Sequence, residues 1–199
     1  MIGGEHSVRI ARPVDELWSY LASFSSWAPH VVGFQSLREV DDKTTVWTLR
    51  GDVGILSREV EIEVTVSAWD EGRSAAFTLT GLTERLDGTG SFEVRPAEEE
   101  APAPTVAAAP PKLGWWARFR RRMARRMIRR ARGTTPAPVA APADTAETAG
   151  PASYLTFRLE VAPGGPMAPM VEMLMEPLLV PAAEDLSLQI KQALEGGAR

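Results

Sequence analysis

Between residues 59 and 66 apolar and polar positions alternate strictly: Val60, Ile62, Val64 and Val66 against Glu59, Glu61, Glu63 and Thr65. A period of two, with one oily and one charged face, predicts an antiparallel strand buried on one side only. The same period begins at Phe34 and runs through Thr45–Leu49 to a turn near Gly51 and Asp52. Asp70-Glu71-Gly72 marks the next turn. Beyond it Ala75, Phe77 and Leu79 face inward, and the strand Leu86–Val94 follows. A last strand, Ser153–Val161, points residues 155, 157, 159 and 161 to the same side. Ahead of these strands, 5–10 reads as a short strand leading to Pro13, where a first helical turn tolerates proline. Val14, Leu17, Trp18 and Leu21 then recur at helical spacing, and Asp15 and Glu16 suit the helix dipole. Ser25–His30 reads as a second short helix or turn, and a Pro-interrupted helix closes the chain from about Ala168 to Leu194.

Periodicity fails between Pro96 and Pro151. Residues 96–111 and 133–150 are rich in Pro and Ala and show no buried face, as in semi-extended or disordered linkers. Between them lies a basic amphipathic segment, 113–132. On a helical wheel Trp116, Phe119, Met123, Met127 and Ala131 share one side, with Leu113 and Ala124 beside them. Arg118, Arg121, Arg122, Arg125, Arg129 and Arg132 cover the other, Arg120 and Arg130 stand at the margins, and Trp115 adjoins Trp116 at one end. The expected organisation is an α+β domain made of 1–95 and 152–199, with 96–151 inserted in a late hairpin loop.

Charge sharpens this division. The chain carries −4 in all. Lys112–Arg132 holds one Lys and nine Arg without an acid, so the rest of the chain carries −14. An Arg-covered helix with an apolar stripe and a Trp pair suits a helix lying in a lipid interface. If helical, the segment spans about 28 Å, and anionic lipid attracts each basic residue by about 1 kcal/mol. Trp115, Trp116, Phe119, Arg121, Arg122, Met123, Arg125 and Met127 are therefore the candidate membrane-binding residues. Docking on an acidic protein surface, including the chain's own body, is the alternative. Nucleic acid is disfavoured because the apolar stripe has no role on a duplex. The N-terminus lacks the apolar core of a secretory signal, and no apolar run is long enough for a membrane span. The absence of cysteine excludes disulfides, thiolate metal sites and Cys nucleophiles.

Three stretches carry a family likeness: ARPVDELWSYLASFSSWAP, LRGDVGILSREVEIEVTV and FTLTGLTERLDGTGSFEV. With the element order, they resemble the START-like (SRPBCC) helix-grip superfamily, and within it the CoxG branch associated with carbon monoxide dehydrogenase. The likeness covers about 5–95 and 152–195. It implies a helix-grip fold, in which a curved antiparallel sheet surrounds a long C-terminal helix with a cavity between them. It also implies an accessory protein of a molybdenum hydroxylase such as carbon monoxide dehydrogenase. Such a protein would sit at the cytoplasmic inner face of the membrane, with a quinone as the candidate bound cofactor.

Candidate catalytic groups are few. His6 and His30 are the two histidines, too few for a His-based metal cluster and poor support for a triad. His30 could hydrogen-bond a ligand carbonyl or serve as an ordinary turn residue, and Asp52 and Arg58 could line a cavity rim or be solvated turn residues. The apolar set says more. Trp18, Trp27, Phe34, Trp47, Phe77, Phe92 and Phe157 fall on the expected concave side, and Met170, Met173 and Leu174 crowd the start of the closing helix with Met167 and Met175. Flexible, polarizable Met suits adaptable apolar binding, and small-molecule pockets are mostly apolar. These residues either line a cavity for a hydrophobic, quinone-like or lipid-like molecule or fill a dry core. A non-enzymatic binding protein leads; a helix-grip enzyme of cyclase or hydrolase type and a closed-core scaffold are the rivals.

Overall fold

The computed structural model describes residues 1–53, 56–98, 151–166 and 168–196, and for residues 52, 53, 56, 57 and 174 the backbone alone. The strands are β1 (Ile2–Ile10), β2 (Phe34–Glu39), β3 (Thr44–Val53), β4 (Leu56–Asp70), β5 (Ser74–Gly81), β6 (Leu86–Pro96) and β7 (Ser153–Pro163). They form one curved antiparallel sheet in the order β1-β7-β6-β5-β4-β3-β2. Every sequential connection from β2 to β7 is a hairpin, whereas β1 lies at the far edge and pairs only with the last strand. Between β1 and β2 run α1 (Val14–Ala22), α2 (Phe24–Trp27) and a 3-10 turn, Ala28–His30. The long helix α3 (Ala168–Gly196) closes the chain, completing the helix-grip fold. None of the described helices is long and apolar enough to cross a membrane.

The strict alternation in β4 puts Val64 in the core with Ile62 packed on it, while Glu59 and Glu61 stay exposed. A bulge between Val66 and Ala68 then inserts one residue, so the inward parity switches from even to odd. Trp69 is thereby aimed to the concave side, opposite Ala75 and edge-on to Trp18, with ring centroids 5.0 Å apart. Alternation alone would have sent Trp69 outward.

Helix α3 runs alongside β1 rather than across the sheet. A Cβ at Gly4 would lie 3.0 Å from the Leu179 carbonyl carbon, so the absent side chain lets helix and strand backbones touch. Further along, Lys191 Nζ donates to Arg9 O at 2.7 Å and Ala11 N to Glu195 Oε1 at 2.8 Å. From Leu179 to Glu195 the helix rises about 24 Å, and from Gly4 to Ala11 the strand covers about 23 Å. The two elements keep pace. Leu179, Ala183, Ser187 and Ile190, spaced at helical period, form the buried stripe of α3.

The insertion expected at 96–151, with its basic helix at 113–132, lies outside the described residues except for its ends. Those ends meet. Pro96 pairs with Ser153, and Ala97 N donates to Ala152 O at 2.8 Å. Ser153 Oγ, fully buried, donates to Arg12 O at 2.6 Å and ties this end of the sheet to the start of α1. Chain leaves and re-enters the domain at adjacent rungs of one ladder.

Candidate functional site

The antiparallel registers give the sheet two ends. One holds the β6–β7 junction and the start of β5. The other holds the end of β3, the start of β4, the β5–β6 turn, the end of β7 and the start of α3. The concave face is filled differently at each. Beneath α1 and α2, Trp18, Trp27, Trp47, Phe77, Phe92 and Phe157 are buried, and Phe34 lies half-buried beside Trp47. Phe24 and Trp69 complete the group, and neighbouring ring centroids are 5.0 to 6.3 Å apart. Rings at these separations and tilts are in direct edge-to-face contact. This half is thus packed by the protein's own side chains. Its polar handles are satisfied internally: Trp27 Nε1 donates to Leu21 O at 3.0 Å and Trp47 Nε1 to Thr45 Oγ1 at 2.8 Å. Phe77 even occupies the place of a side chain at Gly90, where a Cβ would fall 2.1 Å from its ring.

The inward positions turn aliphatic toward the second end, starting at rungs shared with the rings, where Leu49 pairs with Phe34 and Ile62 with Trp47. Leu49, Ile62, Leu79, Leu86 and Leu159 all occupy inward positions of their strands, yet each keeps part of its surface open. Gly81 and Gly88 alternate with them where neighbours press close: a Cβ at Gly88 would lie 3.2 Å from Val161 Cγ1 and 3.3 Å from Leu79 Cδ1. Leu49, Ile62 and Leu79 pack against the buried core with part of their surface open, while Val161, inward on β7, is buried.

The methionines divide by helical phase. Met175 lies one turn before Leu179 on the stripe facing the sheet and is half-buried. Met170 and Met173 are instead 46% and 70% exposed, off the stripe formed by Leu179 and Ala183. The side chain of Leu174, like Met167 and Asp52, lies outside what the structure describes.

At the rim, the Arg58 guanidinium pairs with the Glu84 carboxylate, joining β4 to the β5–β6 turn. Gly164 N donates to Arg85 O at 2.7 Å and draws the β7–α3 connection to the same turn. His30 is a partner of Tyr20: the phenol Oη lies 2.9 Å from His30 Nε2 and donates to Ser26 O at 2.8 Å. With its one proton committed to Ser26, Tyr20 accepts from an Nε2–H of His30. Burial raises the Tyr20 pKa above its usual value. This pair clasps α1 to the 3-10 turn. His6 sits at an inward position of β1 opposite Phe157. Among the described residues, no group of three or more His, Asp or Glu is placed to hold a metal ion. The membrane-binding candidates Trp115, Trp116, Phe119, Arg121, Arg122, Met123, Arg125 and Met127 lie outside the described residues.

Sequence reasoning missed Phe24, Tyr20 and Trp69. The signal for Phe24 was its spacing from Trp27, which puts both on one face of a short helix; the bulge hid that of Trp69.

Known structures share this architecture. A protein of Deinococcus radiodurans superposes with a TM-score of 0.52 at 15% identity, over 98% of this chain and 99% of that one. A conserved protein of Geobacillus kaustophilus gives 0.57 at 13% identity, over 98% and 97%. Truncated norcoclaurine synthase of Thalictrum flavum gives 0.52 at 11%, over 96% and 92%. No curated protein matches the sequence. At these identities the likeness speaks for the fold alone. The family model described as "Polyketide cyclase / dehydrase and lipid transport" matches residues 1–146. By the breadth of that match, and by a seven-stranded grip around a closing helix, the chain belongs to the polyketide cyclase / dehydrase and lipid transport family.

Proposed function

We propose that this protein binds an apolar small molecule between the aliphatic half of its sheet and the first turns of α3, as a carrier rather than a catalyst. The observation that carries the reading is the contrast along one concave face: aromatics in mutual contact at one end, half-wet leucines at inward positions at the other. Such a lining takes hydrocarbon. A quinone fits it through its hydrocarbon part, which supports a role beside a redox enzyme such as a molybdenum hydroxylase, in the manner of the CoxG branch. The Trp- and Arg-bearing segment 113–132 supports attachment to an anionic surface at the inner face of the cytoplasmic membrane.

Cyclisation chemistry is the second reading, favoured by the family's description and by the fold shared with norcoclaurine synthase. It requires an acid or base facing the ligand. Tyr20 and His30, a pair with that chemistry, are engaged in holding α1 to the turn that follows it. Native mass spectrometry of protein purified from its own host, with organic extraction, tests the choice. A co-purifying quinone or lipid is the expected result. Protein that carries no apolar molecule and takes up none when offered decylubiquinone overturns the carrier reading.

A further inference from the structure

We infer that the first turns of α3, residues 168–176, form a strap that swings about Pro177 and Pro181 and controls entry to the aliphatic end of the grip. Both prolines lie inside the helix. A proline has no N–H to donate to the carbonyl four residues back, so the helical bonds to Met173 O and Pro177 O are missing. Two such losses one turn apart make residues 173–181 the place where α3 bends most easily.

Burial divides at the same point. From there onward Leu179, Pro181, Ala183, Ser187 and Ile190 are buried. Polar contacts reinforce that half: Lys191 and Glu195 bond the backbone of Arg9 and Ala11, and Arg12 Nε donates to Leu194 O at 3.0 Å. Among the described side chains of 168–178, by contrast, none is buried. The Met1 amino group lies 2.6 Å from Glu172 Oε1, but an ion pair this exposed holds the segment only weakly. A stretch with little buried surface opens at low free-energy cost. Its near end can turn as well, because it joins β7 through Gly164 and Gly165, and Gly165 takes a φ of 81°. Gly164 N, bonded to Arg85 O, keeps that joint on the β5–β6 turn. The inference rests on the reading of the aliphatic end as a ligand site. The strap begins at that end and carries the half-buried Met175, whose unbranched side chain adapts to what lies beside it.

The chain has no cysteine, so pairs of spin labels can be placed at will. Distances measured by pulsed electron resonance in full-length E61C/M173C should show two populations, whereas E61C/L188C, with its label on the anchored half, should show one. Adding P177A/P181A should merge the two into one. The same replacements, without labels, should slow uptake and release of decylubiquinone at least tenfold, followed by quenching of tryptophan fluorescence, and change its affinity no more than threefold. Equal single distributions for both label pairs, in protein that binds decylubiquinone, overturn the strap and leave the ligand site standing. So do uptake rates that the proline replacements leave unchanged. Absent binding in the parent sinks the ligand site, and the strap's role falls with it.

Discussion

Gly90 and Phe77 show how single positions decide what the grip can hold. The Phe77 ring takes the space of a side chain at Gly90. Gly90→Ala should therefore force the ring out of the aromatic cluster and cost about 1–3 kcal/mol, as overpacking does, read from urea unfolding. Ile62 gives the opposite case, because its side of the face is half-wet. Ile62→Phe should weaken decylubiquinone binding at least tenfold while costing less than about 1 kcal/mol. A large stability loss with intact binding would mean that this half is packed as well. Tyr20 carries a pH prediction. Its pKa is raised in the folded state by burial, so its contribution is present below pH 10 and is lost as pH rises through the raised value. Tyr20→Phe should lose about 1 kcal/mol at neutral pH through the Ser26 and His30 hydrogen bonds. It should also show a smaller fall in stability on going above pH 10 than the parent.

At the scale of elements, most of the sheet was legible because one face is wet. Alternation in 59–66 fixed the inward residues of β4, and the same logic found Phe77, Phe92 and Phe157. It failed where geometry departs from period two. The bulge after Val66 turns Trp69 inward, and nothing in the residues Val66-Ser67-Ala68 announces it. Helix α3 was harder for another reason. Apolar residues stand all round its first turns, so composition cannot say which side meets the sheet, and Met170 and Met173 took the outward phase. The phase is set instead by Gly4, where strand and helix backbones meet. Gly4→Val should lift α3 from β1 and destabilise the domain by about 2 kcal/mol or more, with accelerated amide exchange along residues 179–190 as the local sign.

On the scale of the whole molecule, the described ends of the insertion meet across the β6–β7 ladder. Ala97 and Ala152 are already hydrogen-bonded, so replacing 98–151 by a short Gly-containing loop closes a hairpin that exists. The shortened protein should still unfold cooperatively by calorimetry and should lose its salt-sensitive binding to anionic vesicles. In the full-length chain, Trp116→Ser with Phe119→Ser should weaken that binding at constant charge. Between these ends the ladder joining β1 to β7 has a cost in time. Among the described strands β1 pairs with β7, Ile2 with Val161 and Ile10 with Ser153. Until the ribosome has released residues 153–163, β1 has no neighbour in the sheet. Such a long sequence separation slows folding and leaves the β6 edge open meanwhile. The insertion of some fifty residues lengthens that wait directly, so the shortened chain should refold faster than the parent even where their stabilities agree.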